Sequence, residues 1–296
     1  MNLMPHPTKT AFEAIPAKAE APLAQAPALL AARELRQRTA RREVTERRRI
    51  TQRVRQALAN GGFVLQHQPL VSLHSGFIRG TEAVIRLRHN RRGLIAAGHF
   101  MPVAERSDVI NDIGGWMLHQ ACMEAAAWTG GLSVAITLSQ RHVQSGRLVR
   151  QLMESLSASG LAPERLELEL SEATLIDGND DSVFALKALQ SLGVRLALSN
   201  FGTGYASLSA LKRLPITTLR LDRSLVQNLD EGPSGTAIVQ AAIKAGQALG
   251  CAVLADGVET AEQLALLSEI GCDEGQGPYF SQPVAAAEIA AMLAPA

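Results

Sequence analysis

From residue 63 onward, short apolar runs alternate with longer stretches of helical period. FVLQHQPLV (63–71) alternates as a strand does, SLHSG reads as a turn, and FIRGTEAVIRL (77–87) reads as a second strand. A helix is predicted over 108–128, a strand at LSVAITLS (132–139), a helix over 140–158 and a strand at RLELELS (165–171). Helix 181–192 leads to strand VRLALS (194–199). Strand TTLRLD (217–222), helix 234–249, strand AVLAD (252–256), helix 260–270, strand GQGPYF (275–280) and a last helix over 285–293 complete the series.

Strands and helices alternating in this way build βα units on a mostly parallel sheet, which places the chain in the α/β class. Eight strands with intervening helices favour closure into a (β/α)8 TIM-like barrel over an open doubly wound sheet. The short turn between the first two strands forces one of them to run antiparallel, so the barrel is expected to be a modified one.

The chain ahead of the barrel has a different character. Residues 1–29 are rich in Ala and Pro and low in complexity, and disorder is expected there. Residues 30–48 read as a basic, Arg-rich helix, and 49–296 as the barrel domain. Over 31–58 there is no Gly or Pro, and ten arginines face three glutamates, a surplus of seven positive charges. The whole chain carries only +1, so the remainder sums to −6 and the charge is unevenly spread. Ile50, Val54 and Leu58 recur at four-residue spacing, which predicts that this half of the helix docks on the barrel. A basic helix has the charge to contact anionic lipid or nucleic acid, and equally that of a solvated helix with weak ionic support.

Composition narrows the class further. The 296 residues, 47% of them hydrophobic, suit one domain of roughly 200–250 residues plus an extension. Cys122, Cys251 and Cys272 are far apart and form no CxxC, so neither a disulfide framework nor a zinc knuckle is indicated, and buried core thiols are expected. The histidines show no HExxH spacing. No segment approaches the ~20 apolar residues of a membrane helix and no secretory signal is evident, so a cytoplasmic protein is expected.

In such barrels the chemistry sits at the C-terminal ends of the strands. Those ends present Gln68, Glu82 to Arg86, Thr137, Glu169, Ser199, Asn200, Arg220 to Asp222, Asp256 to Glu259, and Gln276. Glu82, Glu169 and Asp256 supply the oxygen chemistry of a Mg²⁺ or Mn²⁺ site; solvated loop carboxylates would read the same way.

Four ordered segments carry a resemblance. They are QPLVSLHSGFIRGTEAVIRLRH, LELELSEATL, NFGTGYASLSALKRLPITTLRLDRSLV and VLADGVETAEQLALLSEIGCDEGQGPYFSQP. With them, the chain from about Arg49 to Leu293 resembles the EAL-domain family, cyclic di-GMP phosphodiesterases and their degenerate relatives. The resemblance implies that Glu82 and Glu169 stand at metal-ligand positions, here vestigial, and that Glu172 braces the loop after the fifth strand. It implies ligand-binding roles for Gln68, Arg86, Asp222, Glu259 and Gln276, with Arg86 on a substrate phosphate. The usual leucine of the signature is Val84, and Pro278, Tyr279 and Gln282 depart from the family near the ligand edge.

The departures at the catalytic positions are concentrated. Thr137 stands where the family has an asparagine ligand, and Ser199 and Asn200 where it has two adjacent aspartates. Arg220 stands where it has the lysine that orients the attacking water, and Asp256 where it has a glutamate. Ser and Asn oxygens bring no charge to offset a dication's desolvation, and an arginine does not lose its proton. The resemblance therefore implies a degenerate domain with no catalytic residues and no cofactor, Mg²⁺ or Mn²⁺ entering only with residual phosphodiesterase activity. The function expected is a non-catalytic cyclic di-GMP receptor or a regulatory interaction module in bacterial signalling. The alternatives are a nucleotide-independent protein scaffold and a weakly active phosphodiesterase. A regulatory protein partner is expected. A homodimer is compatible with the FGTGYASL loop, which in active relatives couples the site to a dimer partner.

Overall fold

A computed structural model of the chain describes residues 44–171, 180–202, 211, 212 and 214–293. The disorder expected of 1–29, the helix expected over 30–43, Glu172 and most of the FGTGYASL loop lie outside the described residues. The chain divides into two compact units, residues 1–48 and 49–296.

In the second unit a helix, α1, covers 49–59, and residues 44–48 are helical as well. Val54 is fully buried, with Ile50 and Leu58 packed against the same core. The strands are β1 (Phe63–Ser72), β2 (Ile78–His89), β3 (Gly93–Ala96), β4 (Ser133–Thr137), β5 (Leu166–Ser171), β6 (Arg195–Phe201), β7 (Thr218–Leu221), β8 (Ala252–Asp256) and β9 (Glu274–Gln276). Around the barrel the order is β1-β9-β8-β7-β6-β5-β4-β2, and β1–β2 pairing closes it. β1 is antiparallel to both neighbours, while the pairs from β2–β4 round to β8–β9 are parallel. The modified (β/α)8 barrel expected from the alternation is the one that forms.

The longer helices are α2 (Val109–Ala126), α3 (Leu148–Ser159), α4 (Asp180–Ser191), α5 (Pro233–Ala248), α6 (Ala261–Glu269) and α7 (Ala286–Met292). Side chains on a strand alternate between faces, and LELELS uses both. Leu166, Leu168 and Leu170 are fully buried in one core with Ile110, Ile113 and Leu118 of α2. Glu167 and Glu169 point the other way, into the barrel, where they meet Thr218 and Arg220 of β7. Leu70, Ala135 and Leu254 form a small separate apolar cluster from three barrel strands.

Three local expectations are corrected. The helix expected over 140–158 is broken into Gln140–Val143 and α3, with Gly146 at φ +69 between them. The last strand stops at Gln276, because Gly277 lies so close to Val258 that a Cβ would meet its carbonyl oxygen at 2.2 Å, and the chain turns there. β3 was not expected: it is a short strand folded back on β2, from Arg86↔Ala96 to His89↔Gly93. The three cysteines are free and buried, and burial pushes the Cys122 and Cys272 thiols up to about 12. No helix among the described residues is long and apolar enough to cross a membrane.

Candidate functional site at the barrel mouth

Register brings the candidate residues together in pairs. Gln68 stands opposite Glu82, Thr137 beside Glu169, and Asp256 beside Gln276. Arg220 then reaches inward from β7. Its Nη2 donates to Glu82 Oε2 at 2.7 Å and to Gln276 Oε1, and its Nη1 donates to Glu169 Oε1. These acceptors come from β2, β9 and β5, so the guanidinium lies among strands from three sides of the barrel.

The rest of the network closes around it. Gln276 Nε2 donates to Glu82 Oε2 at 2.8 Å and to Gln68 Oε1 at 3.1 Å. Gln68 Nε2 in turn donates to the Ser281 carbonyl at 3.0 Å. Thr137 Oγ1 donates to Glu169 Oε2 at 3.2 Å. Arg220, Glu169 and Gln276 are all buried, as polar groups out of water must be when they have partners.

Electrostatics follows from this packing. Burial alone would raise the Glu82 pKa, but the Arg220 charge and hydrogen bonds from Gln276, Arg220 and Thr137 hold it below the ordinary carboxylate value. Burial would lower that of Arg220, but Glu82 and Asp256 outweigh it and keep the guanidinium charged. Asp256 goes the other way: burial pushes its pKa up, Glu82 and Asp222 add to the rise, and Arg220 offsets only part.

The other candidates lie outside this network. Ser199 Oγ donates across to the Leu170 carbonyl at 3.3 Å. Asn200 is exposed with φ +60, the one non-glycine positive φ among the described residues, a conformation asparagine tolerates. Asp222 caps the short helix Arg223–Gln227, its Oδ1 accepting from Ser224 N at 2.9 Å and Ser224 Oγ at 2.6 Å. Glu259 pairs with Arg223 at the surface. Arg86, four residues past Glu82 on β2, donates from Nε to Gln66 Oε1 at 2.7 Å and from Nη1 to the Ile85 carbonyl at 3.5 Å. Its Nη2 has no partner among the described residues, and partial burial lowers its pKa. Gln66 was not singled out from the sequence. Its signal was there, since it shares a face of β1 with Gln68.

The donor set does not fit a divalent cation. Of the three carboxylates expected to supply oxygen ligands, Glu82 and Glu169 are both engaged by a guanidinium, burial pushes the Asp256 carboxyl toward its neutral form, and Thr137, Ser199 and Asn200 are neutral. Among the described residues no group of three or more His, Cys, Asp or Glu side chains is arranged to hold a metal ion.

Comparison with known proteins identifies the barrel's family. The model of the EAL domain family matches residues 51–283. The chain is 37% identical over 240 residues to an uncharacterized signaling protein of Caulobacter vibrioides, covering 81% of this chain and 30% of that protein. It is 36% identical over 245 residues to the bifunctional diguanylate cyclase/cyclic di-GMP phosphodiesterase MucR of Pseudomonas aeruginosa, covering 81% of this chain and 36% of MucR. The solved complex of the PaMucR phosphodiesterase with cyclic di-GMP superposes with a TM-score of 0.77 at 35% identity, covering 81% of this chain and 99% of that one. The chain spans about a third of the length of the curated relatives it matches. The chain belongs to the EAL domain family.

Proposed function

We propose that this EAL domain is a non-catalytic cyclic di-GMP receptor or regulatory module acting in the cytoplasm in bacterial signalling. The observation that carries the reading is the Arg220 guanidinium bonded to both Glu82 and Glu169. Metal-assisted phosphodiester hydrolysis needs cations that generate the nucleophile and clamp the reacting oxygens. Here the charge that would attract them is already satisfied by a group that does not dissociate or give up a proton. Glu82 and Glu169 are then vestigial ligands, the positions of Thr137, Ser199, Asn200, Arg220 and Asp256 no longer serve catalysis, and no cofactor is required.

Binding without cutting uses what survives. Arg86 keeps an Nη2 with no partner among the described residues, suited to a phosphate oxygen. Gln68, Asp222, Glu259 and Gln276 supply polar groups around the mouth, Gln276 by positioning Gln68 and Glu82. Calorimetry of cyclic di-GMP into the full chain in chelator tests this reading. Saturable binding lost in Arg86→Ala supports the receptor, and silence at high ligand concentration rejects it.

One observation favours a second reading. The Gln276 amide is wholly used inside the chain and buried, and Gln68 is bonded at both ends. A mouth closed on itself suits a protein-binding scaffold, with a regulatory protein or a second copy as partner. Silence in calorimetry would select it. Residual phosphodiesterase activity with Mg²⁺ or Mn²⁺ is the reading that the relatives' activities keep open.

A further inference from the structure

An open cleft of about 700 Å³ lies between α1 and the β2–β3 turn. Its lining includes Arg53, Arg88, His89, Asn90 and Arg91, and no Asp or Glu. The walls are tied together: Arg88 N donates to the Gly62 carbonyl at 2.8 Å, and Gly62 N to the Ala57 carbonyl at 2.8 Å. Gly62 lets the strand leave α1 this closely, since a Cβ there would sit 2.9 Å from that of Ala57. The turn itself is held by Arg91 N donating to His89 Nδ1 at 3.1 Å, which leaves Nε2 as the neutral ring's donor. The cleft is therefore preformed, and it is distinct from the mouth, since none of its lining residues belongs to the Arg220 network.

Arg53, Arg88 and Arg91 are exposed, and no acidic side chain pairs with any of them among the described residues. Three guanidiniums around one cleft repel one another, and an anion relieves that repulsion. Arginine forks match phosphate oxygens bidentately. The outer face of α1 decides what kind of phosphate ligand suits the surface. Arg49, Gln52, Arg53, Arg55 and Gln56 are exposed, while Val54 is buried and Ile50 and Leu58 pack on the core. A helix that binds a bilayer needs an apolar outer face, which α1 has spent on the barrel. A polymer of phosphates can engage the cleft and the helix together.

We infer that the cleft between α1 and the β2–β3 turn binds the phosphodiester backbone of nucleic acid, without base readout. Backbone contacts of this kind orient a polymer but carry no sequence information.

Fluorescence anisotropy of the full chain with a labelled DNA duplex of arbitrary sequence, at about 50 to 200 mM salt, tests the inference. The expected result is binding with a steep log–log salt slope. The variant Arg53→Gln/Arg88→Gln/Arg91→Gln is expected to flatten that slope by about 2.7, since each lost phosphate contact removes about 0.9. The triple Arg→Lys variant at the same positions keeps the slope and binds more weakly, because the charge stays and the fork is lost. The control Arg106→Gln/Arg150→Gln/Lys187→Gln removes the same charge from other exposed positions and keeps the wild-type slope. The inference is overturned by equal slopes for wild type and the Arg→Gln variant, or by an equal loss in the control. It is also overturned if phosphatidylglycerol vesicles or inorganic phosphate bind at the cleft and the duplex does not.

Discussion

Arg220 and Glu82 meet at 2.7 Å although their strands, β7 and β2, stand four places apart in either direction around the barrel. A side chain from one wall thus reaches the facing wall, with Glu169 and Gln276 accepting from the same guanidinium. The mouth of this barrel is cross-braced through its own cation.

Removing that cation leaves buried carboxylates unpaired. Arg220→Met is expected to destabilise the fold by about 3–5 kcal/mol in urea denaturation. A change below about 1 kcal/mol would mean that the network contributes little net stability.

The two kinds of carboxylate at the mouth respond oppositely to acid. The folded pKa of Glu82 lies below its ordinary 4.5, so its contribution is fully present above 4.5 and is lost as pH falls through the folded value. The folded pKa of Asp256 lies above its ordinary 3.8, so its ionised form costs stability at pH values above the folded pKa, and that cost disappears below 3.8. Asp256→Asn is therefore expected to stabilise the protein at pH 7, and Glu82→Gln to destabilise it there. Denaturation midpoints measured from pH 3 to pH 7 check both signs (~4 pH units span the titrations). Destabilisation by Asp256→Asn at pH 7 would contradict the assignment.

Hydrolysis should be absent and its requirements restorable. Wild type with Mg²⁺ or Mn²⁺ is expected to give no linearised cyclic di-GMP. Thr137→Asn/Ser199→Asp/Asn200→Asp/Arg220→Lys introduces two carboxylates and removes the guanidinium fork, and calorimetry is expected to detect Mn²⁺ binding to this variant and none to wild type. Wild-type turnover at ordinary enzyme rates, abolished in Glu82→Ala, would reject the non-catalytic reading.

Gly202, at the end of β6, has φ +103, and a Cβ there would lie 2.3 Å from Leu225 Cδ1. Gly202→Ala combines an unfavourable backbone with this clash and is expected to cost more than about 1 kcal/mol in Tm-derived stability. An unchanged Tm would mean that β6 and the helix bearing Leu225 shift apart without cost.

A buried His67 links β1 to α2 through Glu124 at 2.6 Å and to Thr81 at 3.0 Å. Glu124→Ala leaves the ring nitrogen without its partner and should cost about 1–3 kcal/mol. Trp128 packs edge-on against His67 at 4.8 Å, so its fluorescence should change as well. A variant with wild-type stability and emission would show that the pairing is dispensable.

Period-two alternation made the barrel and half of its mouth legible. In LELELS the leucines must go to the helix side and the glutamates to the interior, because adjacent side chains on a strand take opposite faces. The rule that barrel chemistry gathers at the C-terminal ends of the strands placed Gln68, Glu82 and Thr137 near one mouth before any contact was known. Alternation also marked Gln66, which lies on the same face of β1 as Gln68, two residues before it. Local geometry with no periodic signal was not legible: the break at Gly146, the stop at Gln276 and the folded-back β3. The stop at Gln276 and β3 depend on a close approach or a hydrogen bond to another part of the chain, whereas the break at Gly146 rests on that glycine's own left-handed φ.

What the sequence by itself determined is therefore the closed α/β barrel, an antiparallel strand among the first two, and the neutral side chains at positions 137, 199 and 200. Those follow from patterns a few residues long and from the chemistry of single side chains. Only the tertiary structure decided what Arg220 does. Its acceptor Glu82 is 138 residues away in sequence, and nothing local to either residue specifies the other. Closure of the barrel sets the strands at a spacing that one arginine can reach across, and exclusion of water there makes the pairing with both glutamates obligatory.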